Sequence, residues 1–427
     1  MTEEQFFQMF LDRLRESVGK LTPLELQSSP FKNSYLSKWN PCEDSAQPSG
    51  AIVACDGSIG ESSFSGGLVV LIARAIAHIY TPEGGLKSIM EVDTEANYKL
   101  QGRSLFMKTL ELRVLRKALE KTLQEHEAVL GIFDGSLYLT FLHHREHLRR
   151  VAWVFEKYVR ELASLLKLTG KNTVIIGLSK DSDINYLRAK IMLDVVKSLS
   201  TELMAEVKRG RSIKRIRERL AGKAEFEPKG SMLRTCIEEL EKDLSDEGVY
   251  GELAPNPGFT TPLLLAPQTL FLTGESKARS WWDTGFRGLL ENDVALKGIL
   301  EALDEYFSTT PIALSYWRPA GMLGVYRLDV SSSLLGCEGS CGDLSDDKFM
   351  DDEAALKRMR GIISFLNWMK QGPHVVYPLV EVDTIARLDR TLYKNAYEPV
   401  IVDELKRRGF KVSPRRRSIR DMVLRGY

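Results

Sequence analysis

Two stretches of the chain close on the same three residues. Ala51 to Ser58 reads A-I-V-A-C-D-G-S, and Ala128 to Ser136 reads A-V-L-G-I-F-D-G-S. Each is an apolar run of buried-strand length that finishes in Asp-Gly-Ser. A strand ending this way delivers its carboxylate, Asp56 or Asp134, at the end of a sheet. If the two strands are neighbours, the carboxylates stand side by side. Paired carboxylates suit a divalent cation, and the glycines leave room for a ligand to approach the backbone. Asp-Gly-Ser is also ordinary turn chemistry after a strand; its recurrence after matched strands is what sets it apart.

A third carboxylate belongs to a helix. Residues 97–126 lack proline and are rich in strong helix formers. Met107, Glu111, Val114 and Ala118 fall at spacings that put them on one face. Glu111 therefore sits in an apolar row. Either it lies at the rim of that face and reaches water, or it is buried and must meet a cation, a metal or a hydrogen-bond donor. A fourth acid, Asp383, lies on a helical stretch at 379–392. Acidic ligands drawn from strand, helix, strand and late helix suit two hard cations such as Mn²⁺ or Mg²⁺. Two such ions bracketing a phosphate activate water on one side and stabilise the leaving oxygen on the other. Lys180, just past a third apolar run at 173–178, adds positive charge for the same phosphate.

The elements that must position these residues come in a recognisable order. After the first strand comes a Gly/Ser-rich turn at 58–65, a long strand at 66–79 and a further strand at 89–92, together an antiparallel meander. The helix at 97–126, the strand carrying Asp134, a helical region at 138–168 and the third apolar run then alternate. A meander feeding strand–helix units predicts an α/β protein with a mixed sheet. Strands at 312–318 and 323–330, joined by Pro319-Ala320-Gly321, restore strand character late in the chain. The expected organisation is an N-terminal helical arm (1–50), the first half of a core (51–190), a helical and irregular insertion (191–305), and the second half of the core with a basic tail (306–427).

Composition narrows the class. The chain has 427 residues, 43% hydrophobic and 27% charged, with a net charge of +1. That is an ordinary globular balance with no global field for nucleic acid or membrane, so any basic surface must be local. One such block is Glu206–Lys223, with Lys208, Arg209, Arg211, Lys214 and Arg215; it is either a solvated helix face or a contact for a phosphate backbone. The tail from Lys406 to Arg425 is also basic. Five scattered cysteines argue for a reducing compartment. An acidic N-terminus and the lack of a spanning apolar run predict a cytoplasmic protein without a membrane partner. The N-terminal helix places Phe6, Phe7, Phe10, Leu11 and Leu14 near one face, to be packed on the body or on a partner.

The order of A-C-D-G-S, L-E-L-R-V-L-R, G-I-F-D-G-S-L, I-G-L-S-K and Y-P-L-V-E-V-D resembles the NurA nucleases, and Y-W-R-P with G-V-Y-R-L-D-V is similar to that family's C-terminal half. The resemblance spans about residues 50–190 and 310–390. It implies an RNase H-like fold in which Asp56, Glu111 and Asp134 match the metal-binding acids. Many members carry a His on the late helix, where this chain has Asp383. The resemblance further implies a homodimer that uses Mn²⁺, cuts single-stranded DNA and degrades DNA 5′ to 3′. It also implies work beside a HerA-type hexameric helicase–translocase in DNA-end resection and double-strand break repair. No Gly-x-x-x-x-Gly-Lys-Ser/Thr motif is present, so the motor belongs to another chain.

Other readings carry less. An ATP-handling enzyme of the actin and sugar-kinase type also uses two Asp-Gly turns, but it has no need of Glu111 and requires a Gly-rich adenosine loop that the chain lacks. A non-catalytic adaptor for a DNA translocase has no reason to keep the acids together. His143 and His147 share a helix face without further zinc ligands nearby, and Cys337 and Cys341 lie in an acidic, Gly-rich loop as a free pair.

Overall fold

A computed structural model describes the chain except residues 1–2, 20–25, 140–144, 181, 210–212, 243, 267–286, 292, 322–323, 371–375 and 413–427. The Trp281-Trp282 pair, His143, Arg211 and the Arg415–Arg417 run lie outside the described residues.

The strands are β1 (Trp39–Pro41), β2 (Ala51–Ser63), β3 (Leu68–Tyr80), β4 (Leu86–Tyr98), β5 (Val129–Asp134), β6 (Thr173–Ser179), β7 (Gly258–Thr260), β8 (Leu263–Leu265), β9 (Ile312–Arg318), β10 (Tyr326–Ser331) and β11 (Lys348–Phe349). They form one 11-stranded sheet ordered β1-β7-β9-β10-β6-β5-β2-β3-β4, with β8 pairing β9 and β11 pairing β8. The meander β2-β3-β4 is antiparallel, while β5 lies parallel to β2 and β6 parallel to β5. A three-stranded meander whose first strand is followed in the sheet by two successive parallel strands is the RNase H-like arrangement. The late hairpin β9-β10 then extends the sheet past β6 through antiparallel pairing.

Sequence patterning accounts for this layout. β3 is buried on both faces over nearly its whole length, as a central strand must be, whereas the edge strand β4 alternates half-buried and exposed positions. One apolar cluster packs the helices Arg103–Thr122, Arg145–Lys167, Tyr186–Leu199 and Lys297–Phe307 on one face of the sheet. A second packs Ile52, Ala54, Leu130, Ile132 and Leu178 against the helices Glu353–Met369 and Tyr377–Ala386 on the other.

Several expectations are corrected. The first strand does not end at Asp-Gly-Ser: β2 continues to Ser63, so the predicted turn at 58–65 is mostly strand. Its register with β3 runs unbroken from Ile52 to Ser63, and that pairing carries the small residues Gly57, Ser58 and Gly60 as strand. The third strand is longer than 89–92, spanning Leu86–Tyr98, and Tyr138 and Leu139 are not helical, the described helix after Asp134 being Arg145–Lys167. The late helix stops at Ala386. The arm and the middle stretch are not purely helical either, since β1 pairs with β7 and β8 pairs with β9. The N-terminal helix Glu3–Val18 exposes Phe6, Phe7, Phe10 and Leu14 and does not bury them on the body. No helix among the described residues is long and apolar enough to cross a membrane.

Candidate active site

Asp56 lies in the middle of β2, but at the place where its parallel neighbour ends. The β2-β5 pairing closes at Cys55 with Phe133, one residue before each aspartate. Asp56 and Asp134 continue the alternation of Ile52, Ala54, Leu130 and Ile132, so they project to the face covered by the Tyr377–Ala386 helix. Asp134 is the last residue of its strand, as the sequence led one to expect.

Glu111 comes from the opposite face. The Arg103–Thr122 helix packs along β2 and β3, and its apolar stripe includes Leu110, Val114, Leu115 and Ala118. Glu111 is only 2% exposed, which settles the choice between rim and interior. Its carboxyl group reaches the sheet where Gly57 has no side chain: a Cβ there would lie 2.8 Å from Glu111 Cγ and Oε1. Glu111 Oε1 is buried without a hydrogen-bond partner.

The electrostatics at Glu111 and Asp56 oppose ionisation. Burial pushes the Glu111 carboxyl up to about 8, with the charges of Asp56 and Asp134 acting in the same sense and Lys108 against it. Burial likewise raises Asp56 to about 7; the Gly57 N–H opposes the shift, while Asp134 and Asp383 add to it. That N–H donates to Asp56 Oδ1 at 2.7 Å. Asp383 is exposed on its helix yet close enough to bear on Asp56. Lys180 Nζ pairs with Asp134 Oδ2 at 3.2 Å.

Among the described residues, no set of three or more His, Cys, Asp or Glu side chains forms a ready-made metal cage. The donor set nevertheless fits a hard divalent cation. Its candidate ligands are carboxylate oxygens, the buried Glu111 Oε1 has no hydrogen-bond partner among the described residues, and Asp134 and Asp383 both act against ionisation of Asp56.

Supporting residues appear that the sequence patterns did not single out. Arg74 on β3 is the register partner of Ser58. Its Nε donates to the Ala386 carbonyl at 2.7 Å and its guanidinium also reaches the carbonyls of Ile385 and Arg387. Ser58 Oγ donates to the same Ala386 carbonyl. Together they hold the C-terminal end of the helix that carries Asp383. Midway along that helix, the hydroxyls of Tyr80 and Tyr377 both donate to Glu381. On β10, Arg327 and Asp329 form a buried ion pair at 2.8 Å beside the loop after Asp134. The legible signal was charge inside apolar strands: Arg74 interrupts L-I-A-R-A-I, and Arg327 and Asp329 alternate with Leu328 and Val330.

The basic-block residues are not brought to this site by anything described. Lys208 and Arg209 end one helix and Lys214 and Arg215 begin the next, at Ile213–Ala224, with their side chains outside the described set. His147 falls in the Arg145–Lys167 helix under the same limit. The five cysteines are free.

No curated protein sequence matches the chain. Among solved structures, the NurA nuclease from Sulfolobus solfataricus aligns at 13% identity and a TM-score of 0.47, covering 97% of this chain and 100% of that one. A NurA structure with manganese aligns at 16% identity and a TM-score of 0.38, covering 92% of this chain and 97% of the other. Endonuclease V from Ciona intestinalis, in complex with a 24mer DNA, aligns at 10% identity and a TM-score of 0.26, covering 85% of this chain and 95% of the other. The profile of the NurA domain matches residues 50–388, which takes in all four acids, Lys180 and both late strands. On that match over most of its length, the chain belongs to the NurA family.

Proposed function

We propose that this protein is a metal-dependent DNA nuclease, a phosphodiesterase whose ions are held by Asp56, Glu111, Asp134 and Asp383. The observation that carries the reading is Glu111: a carboxyl group drawn into the protein beside Asp56, with an oxygen left unpartnered, on the buried apolar face of its helix. An acid so placed costs stability unless a cation answers it. Mn²⁺ or Mg²⁺, as a pair of ions, would supply activated water and charge stabilisation at the phosphate. The chain's own residues do the rest. Gly57 makes room for the Glu111 carboxyl group, Asp56 and Asp134 present oxygens from adjacent strands, and Lys180 offers a cation to an incoming phosphate while holding Asp134.

The same reading extends to endonucleolytic cutting of single strands, 5′-to-3′ digestion, homodimerisation, and work with a HerA-type hexameric ATPase in end resection within the cytoplasm. It is supported by family membership and by the exposed apolar face of the N-terminal helix, which a partner would cover. The basic helices around Lys208, Arg209, Arg211, Lys214 and Arg215 are the DNA-contacting candidates.

The test is cleavage of end-labelled single- and double-stranded DNA in Mn²⁺, Mg²⁺ or EDTA, alone and with the hexameric ATPase. The wild type is expected to cut only with metal and Asp134→Ala to be silent. Undiminished cutting by Asp134→Ala would overturn the assignment.

A further inference from the structure

Asp134 ends its strand and then enters a loop, and a loop end alone does not fix a ligand. This loop, however, is tied down at successive residues. Gly135 takes φ +152°, and its N–H donates to the Leu178 carbonyl at 2.9 Å. A Cβ on Gly177 would stand 2.5 Å from the Gly135 carbonyl oxygen, so the loop lies directly against β6. Ser136 Oγ donates to Asp329 Oδ2 at 2.7 Å, and the Leu137 N–H donates to the same oxygen at 3.0 Å. Arg327 closes the arrangement. Its Nε donates to Asp329 Oδ1 at 2.8 Å, and its Nη2 donates to Asp329 Oδ2 at 3.0 Å and to Ser136 Oγ at 2.9 Å.

We infer that Arg327 and Asp329 are positioning residues for the metal ligand Asp134, acting through Ser136 and the Leu137 amide. Arg327 is 4% exposed and Asp329 is fully buried, so the pair is held in low dielectric with its hydrogen-bonding capacity directed at this loop. A buried ion pair is weak evidence of stabilisation for its own sake, because desolvation offsets much of the attraction. Its geometry here has a specific consequence. β10 borders β6 and β6 borders β5, so the pair reaches across one strand to fix the exit of another. Outer groups that orient metal-binding side chains typically change affinity about 10–100-fold when removed.

The inference rests on the proposed metal site, and the experiment keeps the two apart. Mn²⁺ binding to the full chain would be measured by calorimetry and by the spin-resonance signal of free Mn²⁺, well below the melting temperature. Ser136→Ala leaves the buried pair and the Leu137 amide bond intact and removes the side-chain link to the loop; it is expected to fold normally and to bind Mn²⁺ at least about 10-fold more weakly. Asp329→Asn is expected to weaken binding further. Val249→Ala, a fully buried site in the Asp246–Leu253 helix outside this network, serves as a control that loses stability and keeps affinity. Wild-type affinity in Ser136→Ala, or an equal loss in Val249→Ala, would overturn the positioning role. A wild type that binds no Mn²⁺ at all would instead overturn the metal site on which that role depends.

Discussion

Gly57 has no side chain, and the carboxyl group of Glu111 fills the space one would occupy. A methyl group there would meet Glu111 at 2.8 Å and the Arg74 carbonyl oxygen at 3.0 Å. Gly57→Ala must therefore displace Glu111 or bend β2. It should cost about 1–3 kcal/mol in urea denaturation and remove most Mn²⁺ binding; unchanged affinity would show that Glu111 is not held at the metal. The raised acids also give stability a pH dependence. A carboxyl whose folded-state pKa exceeds its unfolded value binds its proton more tightly in the fold. Its contribution is full below the unfolded value of about 4 and is lost as pH rises through the folded one. For Asp56 and Glu111 those folded values are about 7 and about 8. Metal-free protein should melt at progressively lower temperature from about pH 5 to about pH 8, and Mn²⁺ should restore it most at the alkaline end. Glu111→Gln should flatten the metal-free slope; a slope as steep as the wild type's would mean that Glu111 does not titrate there. The four acids were visible in the sequence because their types and neighbours were. That Glu111 arrives from the opposite face, through the gap at Gly57, was not, because strand alternation cannot be read until the strand's true end is known.

At the scale of elements, the site depends on a helix from late in the chain docking on the first hairpin. The Tyr377–Ala386 helix contributes Pro378, Leu379, Val382 and Ala386 to the core, and its C-terminal carbonyls meet the guanidinium of Arg74. A cation at a helix C-terminus is favoured by the aligned peptide dipoles as well as by the hydrogen bonds themselves. Arg74→Ala should cost about 1–2 kcal/mol of stability and loosen Asp383 from Asp56. Arg74→Lys keeps the charge but loses the fork that spans several carbonyls, so it should recover part of the stability and little of the metal affinity. Equal Mn²⁺ affinity in Arg74→Ala and the wild type would show that the clamp does not serve the site. The strand–helix order was legible from apolar runs and periodicity, with Ile312–Arg318 matching its expected bounds. The short strands β1, β7, β8 and β11 were not, because two or three residues are too few to display a period.

On the scale of the whole molecule, the chain brings residues 56 and 383 together yet leaves its first helix outside that assembly. From Glu4 to Val18 the residues are exposed except at Leu11, and Phe7 stands 60% exposed. A stripe of Phe6, Phe7, Phe10 and Leu14 stays exposed in this fold, and we propose that another chain covers it. The sequence showed the stripe but left its destination open between body and partner; the fold excludes the first for these residues. Deleting residues 1–18 should therefore leave the body's melting temperature within about 2 °C of the full chain, since the loss is confined to exposed side chains. It should leave Mn²⁺ binding intact as well. If the stripe serves the proposed homodimer, the truncated chain sediments at monomer mass at concentrations where the full chain does not. Dimer mass retained after truncation would assign the stripe to a different partner, whereas a large fall in melting temperature would mean that the helix packs on its own body after all.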